Sequence, residues 1–117
     1  MPFFTRKDKP GEYKGRHYTE YVDEVTELKR QGKLEEAETL LLALIDATEA
    51  EAKAEKTIVA PAYYEHLAIV YRTQKDYASE VSVLERYSKQ PRGQKEKLLE
   101  RLKKARALRD GKNYGRE

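Results

Sequence analysis

The sequence predicts an all-α protein in which antiparallel helical hairpins stack as an array of about five helices, closed by a C-terminal capping helix. Two stretches carry this prediction, because Leu28–Leu44 and Tyr71–Leu84 each have the pattern of one helix ending, a tight turn and a second helix beginning. Apolar residues recur there at intervals of three and four. Apolar and charged residues each make up 38% of the chain, which is typical of slender amphipathic helices around a thin core.

Residues 1–17 are predicted to form an extended basic arm that precedes the helical domain, residues 18–109. Pro2, Pro10, Gly11 and Gly15 lie there among charged residues without a helical or alternating pattern. The pair Phe3-Phe4 is interpreted as an anchor that packs on the body or on a partner, with a frayed terminus as the alternative.

The first hairpin is predicted to contain helices at 18–31 and 33–56. An apolar stripe from Tyr18 to Leu28 marks the first helix, and Gly32 ends it. The second helix is apolar over much of its circumference, which favours a position between neighbouring helices. Its last turns are rich in alanine and are expected to protrude, either as a self-association surface or as a solvated helix: Ala47, Ala50, Ala52 and Ala54.

The second hairpin is predicted to contain helices at 61–73 and 76–90. Pro61 suits a first helical turn, and Pro91 disfavours further helix. A fifth helix at 94–109 has leucines on one side and charges on the other, which is typical of the cap of a helical stack. Residues 110–117 are predicted to be a tail.

Several positions of the two hairpins are similar to tetratricopeptide repeats. The second hairpin resembles that family at Tyr64, Leu67, Ala68, Tyr71, Tyr77 and Leu84. The first agrees at Tyr21, Gly32 and Ala37, and more loosely at Leu28, Leu34 and Leu41. The departures are Glu24, Val25, Lys75, Glu80 and Tyr87. The spacing from Tyr21 to Tyr64 is also 43 residues, rather than the family's period of about 34. The resemblance covers residues 18–91 and implies a short right-handed array with a concave groove.

The resemblance also implies that the first helix of each hairpin lines this groove. The candidate partner-binding residues are Val22, Thr26, Lys29, Glu65, Ile69 and Arg72. We therefore expect a non-catalytic adaptor or scaffold that binds an unidentified protein or peptide, or a second copy of the chain. Lys29 and Arg72 would meet an acidic group, unless they are only solvated cations near helix ends. Thr26 and Ile69 stand where some family members place the Asn residues of a carboxylate clamp, so that specificity is not carried over.

The distribution of charge suggests an alternative function as an accessory nucleic-acid-binding protein. The net charge is +3, with +3 in residues 1–18, −6 in residues 19–91 and +6 in residues 92–117. The two basic ends would then contact phosphates, the C-terminal one through Arg101, Lys104, Arg109 and Lys112. The simpler interpretation is that these cations only solvate a tail and a terminal helix.

Other functional classes find little support in the sequence. The chain has no Cys, and its longest apolar run is far shorter than a membrane span, so a cytoplasmic protein without a membrane association is expected. His17 lies in a basic arm, and His66 lies on a helix with no Asp or Glu clearly arranged to orient it. There is also no Gly-rich phosphate loop. We therefore expect no enzymatic activity, no cofactor and no metal site.

Overall fold

The computed structural model describes residues 8–111, which form five α-helices behind a short β-hairpin. The strands β1 and β2 are antiparallel, and a 3₁₀ turn at Tyr18–Tyr21 leads from them into the first helix. The prediction of an all-α fold is confirmed. The bounds are β1 Glu12–Tyr13, β2 Arg16–His17, α1 Val22–Arg30, α2 Leu34–Glu55, α3 Ala62–Thr73, α4 Tyr77–Ser88 and α5 Leu99–Arg109.

Each helix packs mainly against its neighbours along the chain, from α1 on α2 to α4 on α5. The turns within the two hairpins are tight, and each contains a residue with positive φ, Gly32 at 74° and Lys75 at 59°. The amide of Lys33 donates to the carbonyl of Leu28, and that of Asp76 donates to the carbonyl of Tyr71. Both predicted helix-turn-helix units are therefore present, although Lys75 holds a conformation that glycine adopts more easily.

The two loops that flank the second hairpin are joined through Tyr87, whose ring is buried in the core. This ring lies edge-on to that of Tyr64, with 4.9 Å between the centroids. Its hydroxyl donates to the Val59 carbonyl at 3.0 Å and accepts from the Gln94 amide at 2.9 Å. The Val59 amide in turn donates to the Arg92 carbonyl. One buried phenol thus fixes the loop before α3 to the loop after α4.

The segment before the helices differs from the predicted extended arm. Asp8 accepts hydrogen bonds from the amides of Lys14 and Gly15, at 3.0 and 2.9 Å, and these bonds close a β-hairpin. His17 Nε2 lies 2.8 Å from Glu51 Oε2, which holds the hairpin against α2. Because Gly11 also packs on Glu51, the hairpin covers part of the helix that was expected to protrude. The pair Phe3-Phe4 lies outside the described residues.

The late turns of α2 are therefore only partly available as a self-association surface. Ala47 and Ala52 are buried, whereas Ala50 and Ala54 are exposed. The fifth helix also differs from its prediction, since it begins at Leu99 rather than at residue 94. Leu98 has a φ of 65°, and a residue in that conformation interrupts a right-handed helix.

Candidate functional site

The face formed by α1 and α3 carries the six residues that the sequence assigned to partner binding. At the N-terminal ends of α1 and α3, Val22 is 46% exposed. Together with Ala62 and Tyr63 of α3 it borders a depression of about 180 Å³. Thr26 and Glu65 are exposed, and Ile69 is half-buried. This end of the face therefore offers a small apolar surface with polar edges.

A direct contact joins the two helices where Lys29 of α1 meets His66 of α3. Lys29 Nζ lies 2.9 Å from His66 Nδ1, and both side chains are partly buried. An ammonium group has only donors, so Nδ1 must accept, and the proton of the neutral imidazole resides on Nε2. The contact thus requires a neutral His66.

Burial and neighbouring charges favour the same protonation state. Burial lowers the pKa of His66 from its ordinary value, and the positive charge of Lys29 lowers it further, whereas Glu65 opposes this effect. Burial also lowers the pKa of Lys29; the negative charge of Glu65 opposes that shift, and the positive charge of Arg101 adds to it.

A buried carboxylate lies beneath this face. Glu80 of α4 is 0% exposed, and its Oε1 accepts from Arg72 Nε at 3.0 Å. Arg72 Nη2 lies 2.7 Å from Glu80 Oε2, and Arg101 Nη1 lies 3.7 Å from the same oxygen. One carboxylate therefore links α3, α4 and α5 through two guanidinium groups.

These contacts change the interpretation of two predicted residues. Arg72 was assigned to a partner and Arg101 to a nucleic acid, but both make an internal ion pair with Glu80. Their side chains keep 27% and 26% of their surface exposed, although Arg72 Nη2 itself is buried. Arg101 thus shares the carboxylate of Glu80 with Arg72 of the α1–α3 face.

The cluster has more positive than negative charge. Lys29, Arg72 and Arg101 are three cations, Glu80 neutralises one of them, and Glu65 is an exposed carboxylate nearby. Cations held in place by such contacts lose less conformational freedom on binding than free ones. The arrangement is chemically suited to receive a carboxylate or another anionic group by charge-assisted hydrogen bonds.

The remaining cations of α5 are mostly paired with carboxylates. Arg106 lies 3.0 Å from Glu85, and Arg109 lies 3.0 Å from Asp110. Lys104 is exposed, and Lys112 lies outside the described residues. Carboxylates next to a basic helix reduce its positive electrostatic potential. The surface of α5 therefore attracts a phosphate backbone less strongly than its sequence suggested.

Two members of the cluster were missed as site residues in the sequence. His66 lacked a carboxylate to orient it, and its actual partner is a lysine from another helix. Glu80 was noted only as a departure from the repeat pattern. Its place between Tyr77 and Leu84 on the apolar stripe of α4 was a usable signal, because a carboxylate on a buried face requires a cation.

Within residues 8–111, no group of three or more His, Asp or Glu side chains is arranged to hold a metal ion. Over the same range, none of the helices combines the length and the apolar character that a membrane span requires. No family model matches the sequence, and neither a curated protein nor a solved structure is significantly similar to it, so the tetratricopeptide likeness rests on the residues alone.

Proposed function

We propose that this chain is a non-catalytic protein-binding module, and that it takes an acidic segment of a partner along the face of α1 and α3. The observation that carries the proposal is the pairing of Arg72 and Arg101 with the buried carboxylate of Glu80, together with Lys29, which contacts His66 on the helix that carries Arg72. This carboxylate orients the two arginines and leaves the cluster with an excess of positive charge.

The apolar part of the face gives the partner a second kind of contact. Val22 is exposed and Ile69 is half-buried, and they lie on the two helices that also carry Lys29 and Arg72. A peptide with an acidic residue and a neighbouring aliphatic one matches this combination of charge and apolar area. Such a contact would be modest in size, so we expect a reversible interaction.

Fluorescence anisotropy with a labelled, capped peptide of alternating Glu and Ala residues tests the proposal. Lys29→Glu should weaken binding by about tenfold or more, because it removes a charge-assisted contact and adds a repulsion. Ile69→Asp should weaken binding further, because it places a charge on the apolar part of the face. Lys33→Glu is the matched control, since Lys33 is an exposed cation in the α1–α2 turn.

A second probe separates the proposal from the nucleic-acid alternative. A labelled oligouridine should bind weakly or not at all, because the arginines of α5 are largely paired. Tight binding of oligouridine with a steep loss of affinity in salt would favour the alternative. Equal binding of the acidic peptide by the wild type and by Lys29→Glu would contradict the groove proposal.

A further inference from the structure

A separate cleft of about 520 Å³ lies between the last turns of α2 and the loop that follows α4. Its volume falls within the roughly 300–1,000 Å³ that is usual for ligand sites, and its exposed lining is mostly apolar. None of the six predicted groove residues belongs to it. The lining residues are Glu49, Ala52, Lys53, Lys56, Val59, Gln90, Pro91 and Arg92.

The floor of the cleft is held in place by the core. The Val59 amide donates to the Arg92 carbonyl, and the Val59 carbonyl accepts from the Tyr87 hydroxyl. The Glu49 carboxylate, at one end, accepts from Arg86 at 2.8 and 2.9 Å and from the hydroxyl of Tyr64. The shape is therefore preformed, and the only carboxylate in the lining is already engaged.

The rim has the opposite character, because it carries three exposed cations. Lys53 and Lys56 lie at the end of α2, and Arg92 lies across the cleft on the loop. Within the part of the chain that the structure describes, none of the three makes an ion pair with a carboxylate. Ile58, immediately before the floor residue Val59, adds an apolar side chain that is 60% exposed. The cleft thus combines an apolar floor with uncompensated positive charge on two sides.

We propose that this cleft docks a short segment of a partner protein in which an aliphatic or aromatic side chain is flanked by carboxylates on both sides. The apolar side chain enters between Ala52, Val59 and Pro91, where it is removed from water. The flanking carboxylates meet Lys53 and Lys56 on one side and Arg92 on the other. Cations on both sides of the cleft match an acidic residue before and after the apolar one, which a linear peptide supplies.

This second surface is independent of the α1–α3 face, and the two would allow one chain to hold two segments at once. Bivalent attachment raises the overall affinity without any new contact. The interaction surface therefore extends the proposed function, but its test does not depend on that function.

The experiment uses the full chain and a labelled, capped peptide, Gly-Asp-Glu-Leu-Phe-Asp-Glu-Gly. We expect saturable binding in anisotropy, together with shifts of the methyl signals of Ala52 and Val59 in NMR spectra. The double variant Lys53→Glu/Arg92→Glu should weaken binding by about tenfold or more, because each change replaces an attraction by a repulsion. A peptide with Ser in place of Leu and Phe should bind at least as weakly.

Control variants show which surface of the protein binds the probe. Lys33→Glu/Lys75→Glu changes the net charge equally at two exposed turn cations, and it should leave binding unchanged. Ile69→Asp should weaken any binding of this acidic probe to the α1–α3 face but leave the shifts of the Ala52 and Val59 methyl signals unchanged, so a failure of the groove proposal is distinguishable from a failure of this one. Circular dichroism of each variant verifies that the fold is retained.

Two results would overturn the proposal. The first is a probe that does not bind to the wild type. The second is a probe that binds equally well to the wild type and to Lys53→Glu/Arg92→Glu without moving the two methyl signals.

Discussion

Replacing Glu80 with Gln tests whether the buried carboxylate holds the last three helices together. Removing one partner of a fully buried ion pair costs about 3–5 kcal/mol, because the other charge is left without compensation. Here Glu80 is 0% exposed, but the side chains of Arg72 and Arg101 keep 27% and 26% of their surface in water. Both guanidiniums would regain part of their hydration, so we expect a loss of about 2–3 kcal/mol.

Thermal unfolding followed by circular dichroism measures this loss. At about 4 °C per kcal/mol for a chain of this size, the melting temperature should fall by roughly 8–12 °C. Glu85→Gln is the matched control on the same helix, since Glu85 pairs with Arg106 at the surface and that pair contributes at most about 1 kcal/mol. Equal melting temperatures for Glu80→Gln and Glu85→Gln would refute the reasoning.

Three further substitutions probe other contacts. Tyr87→Phe leaves a carbonyl and an amide without their partner, and it should lower the free energy of unfolding in urea by about 1–3 kcal/mol, whereas an unchanged midpoint would contradict this. Gly11→Ala places a Cβ 2.7 Å from Glu51 Oε2 at a φ of +92°, so amide exchange should accelerate in residues 12–17, and equal rates would argue against strain there. The lowered pKa of His66 makes the unfolded chain the better proton acceptor, so stability should fall as the pH drops below 6.5. His66→Gln should reduce that fall in melting temperature, and an unchanged pH profile would exclude the Lys29 contact as its cause.

Much of the helical framework could be predicted from the sequence, because it depends on local patterns. Gly32 takes the left-handed conformation that ends α1, and the apolar spacing of α3 and α4 placed both helices within two residues of their observed bounds. Pro61 and Pro91 marked the breaks for reasons of backbone geometry alone. Such signals lie within a few residues of the feature that they specify.

The features that the sequence did not predict depend on contacts between distant residues. The β-hairpin is closed by the side chain of Asp8 and held by Glu51, which lies 34 residues beyond its partner His17. The pattern of polar and apolar residues in 8–17 does not predict these hydrogen bonds. The ion pairs of Glu80 have the same cause, since Arg72, Glu80 and Arg101 come from three different helices. They meet because α4 packs against both α3 and α5.

The β-hairpin and the length of α2 have a consequence for how this fold can vary among species. The hairpin lies on the last turns of α2, where Gly11 and His17 contact Glu51. We expect insertions and deletions to occur in both together: a relative with a shorter α2 would lack the residues that contact Gly11 and His17, and would also lose the hairpin. The structure at the start of the domain thus depends on a helix position 34 residues further along the chain.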